Sequence, residues 1–329
     1  MTGAFDMGDN VLEIIGLGVE IPTRQGILRP VDNLSLKIGR GKILGIVGES
    51  GAGKSMSGNA VIGLLDSPAH ISGGEIWLNG KRIDNLSREQ MRKVRGKEIG
   101  MVFQDPLTSL NPLLPIGEQL AETIMEHLPV DKNRAMERAV AALDEVGIPA
   151  ARQRIGSYPH EFSGGMRQRV VIALALCAEP SLVIADEPTT ALDVSVQAQI
   201  ISLLKRMCKE RGTAIMLITH DMGVIAETAD EVAVMYAGRM VEIGSVRHVL
   251  TSPTHPYTQG LMASTPLAAK GNKRLNQIEG SMPRLDNLPQ GCAFHPRCSI
   301  AKEKCKRNPA PEMDLNGGRA ACWFADGNA

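Results

Sequence analysis

The chain has 329 residues, of which 43% are hydrophobic and 22% are charged, so it can bury a sizeable core and is not expected to be disordered. Lysine plus arginine and aspartate plus glutamate both total 36, and aromatic residues make up only 3%. A net charge of zero gives no broad attraction to nucleic acid, and few aromatic side chains are present to stack on bases. We therefore expect no nucleic acid partner.

No apolar run in the sequence reaches the roughly 18–20 residues that are needed to cross a bilayer. The first ten residues have neither a basic start nor an apolar stretch, so we expect no signal peptide. Together these patterns predict a chain that stays in the cytosol, where it can still dock on a membrane protein.

The pattern of hydrophobic residues predicts strands in the first part of the chain. Residues 11–47 read as strands and turns, and Lys42–Val47 is a mostly apolar strand of the buried type. Asn79-Gly80 is typical of the tight turn of a β-hairpin. From about 105 to 178 the apolar residues recur at helical spacing, which predicts a helical subdomain.

Strand character returns in the second half of the chain. Apolar runs at Ser181–Ala185 and Ala214–Thr219 each follow a helical run, and a second hairpin surrounds Ala237-Gly238. This alternation of strands and helices predicts an α/β fold with a parallel sheet. From residue 251 onwards the chain becomes rich in proline and cysteine, which indicates a separate C-terminal appendage.

Residues Gly48–Ser55 match the phosphate-loop pattern G-x-x-x-x-G-K-[ST] in full, between a buried strand and an apolar helix. The glycines let backbone N–H groups wrap phosphates, and the helix N-terminus adds partial positive charge. Lys54 would hold the outer phosphates, and the Ser55 hydroxyl would ligate Mg²⁺. The simpler interpretation, a glycine-rich turn with a solvated lysine, leaves the flanking strand and helix unexplained.

Two carboxylates follow the apolar strand Leu182–Ala185. Asp186 is suited to assist Mg²⁺, and Glu187 is placed to polarise an attacking water. Taken alone, such a pair followed by Pro188 is equally typical of the start of a helix.

A second helix N-terminus is opened by Ser163-Gly164-Gly165 before the helix Arg167–Ala178, and it offers another place for phosphate. Serine is also a good N-cap, so these residues alone indicate no more than a capped helix. His220 follows the strand Ile215–Thr219, and an isolated histidine there is more often structural.

The order of these motifs resembles that of the ATP-binding cassette family over about residues 10–250. The motifs are, in sequence, Gly48–Ser55, Gln104, Ser163–Gly165, Asp186-Glu187, Thr190–Asp193 and His220. The resemblance implies a P-loop ATPase with an antiparallel β subdomain, a helical subdomain at about 105–178 and a small cysteine-containing appendage at 251–329. It also implies that two cassettes close head to tail, so that each ATP lies between the phosphate loop of one subunit and the Ser-Gly-Gly helix of the other.

The resemblance further implies a role for each motif residue. Gln104, Glu187 and His220 would be catalytic: Gln104 reports the γ-phosphate to the membrane partner, and His220 contacts that phosphate and orients Glu187. Mg²⁺ would be held by Ser55, Gln104 and Asp186. Asp193 would work across the dimer interface, and Ser163, Gly164 and Gly165 would bind ATP in trans. The remaining ATP contacts would come from Ile21, Gly48, Glu49, Ser50, Gly51, Ala52, Gly53, Lys54 and Ser55.

Two positions depart from the family pattern. Ile21 stands after the first strand, where the family usually has an aromatic residue that stacks on adenine, and no aromatic residue lies between Phe5 and Trp77. An aliphatic side chain can pack on the base without π-stacking. Met166 replaces the usual glutamine after Ser-Gly-Gly.

Several segments are similar to those of the ATPases of dipeptide and oligopeptide importers, namely Met101–Pro112, Tyr158–Phe162, Thr254–Thr258 and Pro296-Arg297-Cys298. The resemblance implies one of two different ATPase subunits, peripheral on the cytoplasmic face of the cell (inner) membrane. These subunits work under two membrane permeases, with a substrate-binding protein outside. Importers of nickel, glutathione or sugars share much of this branch and remain alternatives.

A soluble cassette ATPase that acts on ribosomes or DNA is the rival of another class. Such proteins commonly carry two cassettes or a long coiled-coil insertion, and this sequence has neither. An inactive regulatory cassette is a further rival, which the presence of Glu187 and His220 disfavours.

Four cysteines lie in the appendage: Cys292, Cys298, Cys305 and Cys322. Disulfides are disfavoured in a reducing cytosol, and a segment rich in proline and charge has little core for unpaired thiols. Zn²⁺ fits four thiolates but usually uses closely spaced cysteine pairs, whereas an iron–sulfur cluster suits wider spacing. Relatives in this importer branch are thought to carry a [4Fe–4S] cluster in this tail, so we favour the cluster and keep Zn²⁺ as the alternative.

Overall fold

The computed structural model describes residues 9–190, 192–265, 277–315 and 317–325. Residues 1–8, where we expect no signal peptide, lie outside the described residues. So does Ala191 of the motif Thr190–Asp193. The described chain divides into two compact units. Unit 1 comprises residues 9–11, 38–42, 85–190 and 192–216, and unit 2 comprises 12–37, 43–84 and the described residues from 217 onwards.

The strands are β1 Asn10–Thr23, β2 Gly26–Gly39, β3 Ile43–Val47, β4 His70–Leu78, β5 Lys81–Arg82, β6 Ile99–Val102, β7 Leu182–Asp186, β8 Ala214–Ile218, β9 Glu231–Tyr236, β10 Arg239–Ser245, β11 Glu312–Leu315 and β12 Gly318–Ala321. The helices are α1 Lys54–Ile62, α2 Arg88–Val94, α3 Pro106–Ser109, α4 Ile116–His127, α5 Lys132–Glu145, α6 Ala151–Arg154, α7 Gly164–Leu176, α8 Val194–Arg211, α9 Met222–Thr228, α10 Val246–Thr251, α11 Pro256–Ala263 and α12 Glu303–Arg307. No helix in these described ranges is long and apolar enough to cross a membrane.

Unit 2 contains an antiparallel sheet with the strand order β2-β1-β4-β5. Leu12 of β1 faces Leu78 of β4 in the ladder, and the apolar side chains at these positions are buried. The predicted hairpin turn is confirmed: Asn79 and Gly80 connect β4 to β5 with φ values of 47° and 73°, the left-handed conformations that such a two-residue turn requires.

The phosphate-loop strand also lies in unit 2. The predicted strand Lys42–Val47 is confirmed as β3, which is buried along its whole length and pairs in parallel with β9. The second predicted hairpin is confirmed as well, because β9 returns as β10 through Ala237 and Gly238.

The C-terminal segment is joined to unit 2 by backbone pairing. β10 pairs with β12, and β12 pairs with β11, both antiparallel. The sequence predicted an appendage but no strands in it, since these two strands are short and Met313 and Leu315 give only a weak alternation.

Unit 1 holds the helices that the sequence predicted between 105 and 178. The buried faces of α4 and α5 pack on each other, and both pack on α7. The strands β6 and β7 pair in parallel, with Ile99 opposite Leu182 and Val102 opposite Ala185. The side chains that follow these two strands therefore emerge at the same edge of the sheet.

A buried histidine caps the N-terminus of α11 in unit 2. His255 is 1% exposed, and its Nδ1 accepts a hydrogen bond from the backbone N–H of Tyr257 at 3.0 Å. The backbone N–H groups of Thr254 and His255 donate to the buried carboxylate of Glu242 at 2.8 and 2.9 Å. Burial lowers the pKa of His255 to about 3, so the ring is neutral in the folded chain.

We predict that His255 makes the chain acid-sensitive. Because the folded pKa lies below the unfolded value of about 6.5, the unfolded chain binds the extra proton first, and stability is lost as the pH falls from about 6.5 towards 3. At pH 5 the loss is about 2 kcal/mol relative to neutral pH. Denaturant unfolding of the parent and of His255→Asn, which keeps a capping oxygen but cannot be protonated, measures this slope.

The matched control is His70→Asn, which replaces the exposed histidine that begins β4. The free energy of unfolding of His255→Asn is expected to fall less steeply between pH 7.5 and 5 than that of the parent and the control. Equal slopes for all three proteins would contradict the prediction.

Candidate nucleotide site

The loop between β3 and α1 is shaped by glycines that no other residue can replace. Gly48 and Gly53 have φ values of 152° and 101°. A Cβ at Gly48 would lie 2.2 Å from the carbonyl oxygen of Met235, and one at Gly53 would lie 2.0 Å from that of Pro30. Both distances are far below van der Waals contact, so the neighbouring backbone forces glycine at both positions.

Lys54 is fixed at this loop. It is the first residue of α1, is 6% exposed, and its ammonium donates to the carbonyl oxygens of Gly48 and Glu49 at 2.9 and 3.0 Å. The helix begins without a side-chain cap, and Gly53 at its N-cap lets the backbone turn into it. A polyphosphate would meet an oriented ammonium and the N–H groups of a helix N-terminus here.

The two carboxylates predicted after the apolar strand lie at the end of β7 in unit 1. Asp186 is the last residue of that strand and is 6% exposed. Glu187 has a φ of 47°, a left-handed conformation that is uncommon for a residue with a side chain. Its Oε2 accepts hydrogen bonds from Thr190 Oγ1 at 2.8 Å and from Gln104 Nε2 at 3.1 Å.

Gln104 is therefore brought to Glu187, as the parallel pairing of β6 with β7 requires. Its amide nitrogen donates to the carboxylate, which turns the amide oxygen away from that bond. Oxygen is the ligand that Mg²⁺ prefers, so Gln104 Oε1 and the carboxylate of Asp186 are atoms of the right kind to hold it.

The Ser-Gly-Gly motif begins α7 as a capped helix. Ser163 Oγ accepts the N–H of Met166 at 3.3 Å, so the local interpretation offered by the sequence is confirmed. A Cβ at Gly165 would lie 2.9 Å from Val196 Cγ1, which places the start of α7 close to that of α8. A cleft of about 780 Å³ in unit 1 is lined by Ser163, Gly164, Gly165 and Asp193 among others.

Asp193 caps α8. Its Oδ1 accepts the Ser195 hydroxyl at 2.6 Å and the Val196 N–H at 2.9 Å. The hydrogen bond from Ser195, followed by that from Val196, lowers the pKa of this exposed carboxyl, which is therefore ionised at neutral pH.

His220 and Ile21 lie in unit 2 with the phosphate loop. His220 is exposed and lies two residues after the end of β8, and Asp221 after it caps α9. The N–H of Thr219 donates to the carbonyl of Ile46 at 3.1 Å, which fixes the end of β8 to β3. Ile21 is half-buried near the end of β1.

Two residues near the loop were not predicted as site residues. Tyr257 Oη accepts the backbone N–H of Glu49 at 3.0 Å, and Arg297 Nη1 donates to the carboxylate of Glu49 at 2.9 and 3.1 Å. Both lie in segments that the sequence analysis noted only for their similarity to importer ATPases, namely Thr254–Thr258 and Pro296-Arg297-Cys298. For Arg297, the signal that could have indicated a site residue was an arginine in a segment with few other buried side chains.

The four C-terminal cysteines approach one another in unit 2. The N–H of Cys292 donates to the carbonyl of Cys305 at 2.8 Å. Burial raises the pKa values of Cys292, Cys298 and Cys322, and neighbouring cysteine thiols add to the rise at each of them. Across the residues that the structure describes, however, no group of three or more His, Cys, Asp or Glu side chains is arranged to hold a metal ion.

Two protein families match this chain, one over its first part and one over its C-terminal part. Residues 31–190 match the family described as ABC transporter, and residues 241–305 match the family described as oligopeptide/dipeptide transporter, C-terminal region. The chain is 47% identical to the oligopeptide transport ATP-binding protein OppD of Haemophilus influenzae, over 96% of this chain and 97% of that relative. It is 48% identical to OppD of Escherichia coli, over 97% of this chain and 95% of that relative.

Solved structures show the same fold. The dimeric post-hydrolysis state of the ATP-binding cassette MJ0796 bound to ADP and Pi superposes with a TM-score of 0.65 at 26% identity, covering 72% of this chain and 99% of that one. The structure of cbiO1 from Clostridium perfringens, part of the transporter complex cbiONQ, gives a TM-score of 0.64 at 30% identity, over 74% of this chain and 92% of that one.

Proposed function

The chain belongs to the ATP-binding cassette transporter family and is an ATPase of it, and from that premise we propose that it powers the import of dipeptides and oligopeptides through partner permease subunits. One observation carries the proposal. The cassette is followed in the same chain by the C-terminal region of oligopeptide/dipeptide transporters, and relatives named for oligopeptide transport match nearly the whole length.

The proposed ATP site uses the phosphate loop for binding and β7 for chemistry. Lys54 holds the outer phosphates, the loop N–H groups wrap them, and Ile21 packs its aliphatic side chain on the adenine. Ser55, Gln104 and Asp186 supply the oxygen atoms for Mg²⁺, which neutralises charge that develops on the phosphates when it is bound.

Glu187 is the proposed general base. Its carboxylate accepts hydrogen bonds from Gln104 and Thr190, which hold it in one orientation. In that orientation the carboxylate accepts a proton from the attacking water. His220 contacts the γ-phosphate and orients Glu187 in this proposal.

The second half of each site is proposed to come from a partner ATPase, a homologous but different subunit. Ser163, Gly164 and Gly165 bind ATP in trans at the N-terminus of α7, and the ionised Asp193 works across the interface. The support is the cleft that these residues line and the dimeric relatives among the solved cassettes.

The proposed setting is the cytoplasmic face of the cell (inner) membrane, where the ATPase pair acts as a peripheral translocase under two permeases that receive peptide from a substrate-binding protein. The residues described contain no helix able to span a membrane, so attachment would depend on the permeases. Nickel, glutathione or sugar import is the alternative within the family, and action on ribosomes or DNA is the alternative outside it.

Import is tested by reconstitution of the chain with permease subunits and a substrate-binding protein of a peptide importer from the same organism. We expect the ATPase rate of the vesicles to rise when the binding protein is loaded with oligopeptide. Stimulation by nickel, glutathione or a sugar in place of peptide would contradict the substrate. Failure to co-purify with any permease would contradict the transport role.

We predict that Glu187→Gln keeps ATP binding and loses turnover. Loss of a general base costs on the order of 10²–10⁴ in rate. The glutamine still accepts hydrogen bonds from Gln104 and Thr190, so the local structure is retained. ATP hydrolysis by the assembled transporter and ATP titration of the full chain measure the two effects.

The matched control is Glu210→Gln, an exposed carboxylate at the end of α8, which should hydrolyse ATP at the parent rate. Hydrolysis near the parent rate by Glu187→Gln would remove Glu187 from the catalytic role.

For the C-terminal cysteines we propose a [4Fe–4S] cluster held by Cys292, Cys298, Cys305 and Cys322, with Zn²⁺ as the alternative. The support is the donor set and the proximity of the thiols, expressed in their mutual effect on pKa values. The described side chains are not in a metal-binding arrangement, so the thiols would have to close in when the cluster is bound. The cluster takes no part in the proposed hydrolysis.

Anaerobic purification followed by iron, sulfide and zinc analysis tests this proposal. We expect about four iron and four sulfide per chain, lost in Cys322→Ser. Cys177→Ser is the control, because burial raises the pKa of that thiol to about 12 and leaves it unsuited to bind metal. Stoichiometric zinc without iron would contradict the cluster, and folded protein without metal would contradict both.

A further inference from the structure

Glu49, the second residue of the phosphate loop, is held from the C-terminal part of unit 2. Its backbone N–H donates to Tyr257 Oη at 3.0 Å, and its carboxylate accepts from Arg297 Nη1 at 2.9 and 3.1 Å. Its carbonyl oxygen accepts from Lys54 Nζ at 3.0 Å. Every polar group of this one residue therefore has a partner in unit 2, and two of these partners, Tyr257 and Arg297, come from beyond residue 250.

Arg297 is fixed from several sides. Only 7% of its side chain is exposed, against 30% for Glu49. Its Nε donates to the carbonyl of Glu279 at 2.9 Å, and Nη2 lies 3.4 Å from the carbonyls of Ile278 and Gly280. A buried guanidinium with this many partners has little freedom to turn, so it presents Nη1 to Glu49 in a defined position.

Tyr257 is just as constrained. Its ring is fully buried and packs against Tyr236 and Phe294, with ring centroids 4.6 and 5.4 Å apart. Burial raises the pKa of Tyr257, so its hydroxyl stays protonated. Arg297 Nη1 also lies 3.3 Å from the Tyr236 hydroxyl, which joins the arginine to the same aromatic cluster.

The same segment reaches the middle of the loop. A Cβ at Gly51 would lie 3.3 Å from Met282 Cε, so the residues between Ile278 and Arg297 lie against the loop at two places.

The charges of Glu49 and Arg297 also affect how the loop can bind phosphate. A carboxylate on the loop repels a triphosphate, and pairing Glu49 with a guanidinium removes most of that repulsion.

We propose that Arg297 is a positioning residue of the ATP site, which neutralises Glu49 and fixes the backbone on which Lys54 rests. The proposal rests on the ATP-binding role of the phosphate loop proposed above. It makes the C-terminal segment part of the nucleotide site, in addition to any role of the cysteines in it.

The experiment measures the affinity of the full chain for Mg-ATP by calorimetric titration in Arg297→Ala, Arg297→Lys, Glu49→Gln and the double variant Arg297→Ala/Glu49→Gln. We expect Arg297→Ala to weaken binding about tenfold, since a charge-assisted bond is lost and a carboxylate is left unpaired near the phosphates. Arg297→Lys keeps the charge and should recover most of the affinity. The double variant should bind ATP more tightly than Arg297→Ala, because the unpaired charge is gone.

Arg284→Ala is the matched control, since that arginine lies in the same segment with 84% of its side chain exposed. Its ATP affinity and melting temperature should equal those of the parent. Parent affinity in Arg297→Ala would overturn the proposal. So would equal affinities of Arg297→Ala and the double variant, which would indicate that Arg297 only stabilises the fold.

Failure of the proposed ATP site is distinguished by Lys54→Ala. If the parent and Lys54→Ala bind Mg-ATP equally, the loop is not the nucleotide site, and the proposal for Arg297 is overturned along with it. If Lys54→Ala loses binding while Arg297→Ala keeps it, only the inference about Arg297 is wrong.

Discussion

The close approach of two backbone carbonyls to the phosphate loop determines much of what surrounds it. Pro30 on β2 and Met235 on β9 leave no room for a side chain at Gly53 and Gly48. The loop is also tied by the N–H of Gly238, which donates to the carbonyl of Ala52 at 3.0 Å. The loop is confined on these sides and leads directly into α1, where the Lys54 ammonium donates to the first carbonyls of the loop.

A buried polar path leads from β10 to this loop within unit 2. Glu242 accepts the N–H of His255, whose ring accepts the N–H of Tyr257, whose hydroxyl in turn accepts the N–H of Glu49. A buried polar group that loses its partner costs about 1–3 kcal/mol. Each link therefore keeps the next in place, and the C-terminal segment and the loop are expected to hold one arrangement.

Local sequence patterns were enough to predict the strands and turns around the site. They could not predict which distant residues contact it. The apolar run at Lys42–Val47 and the turn Asn79-Gly80 are signals contained in a few neighbouring residues. The contact between Glu49 and Arg297 joins residues 248 positions apart, and nothing in the spacing of a single sequence encodes such a pair. For the four C-terminal cysteines, the sequence predicted a shared metal site from their number. The described side chains are not arranged to hold a metal ion, so that site was only partly predictable.

The bond between Gln104 and Glu187 shows why an amide suits this position in the proposed site. A carboxylate at 104 would repel Glu187, and a hydroxyl would have too short a reach to serve two partners. An amide separates its donor from its acceptor, so the nitrogen can hold Glu187 while the oxygen faces a cation. Glu187 also has an uncommon backbone conformation, with a φ of 47°, and the bonds from Gln104 and Thr190 help to maintain it. The residue proposed to sense the nucleotide and the residue proposed to activate water are thus mechanically connected inside one unit, before any partner subunit is added.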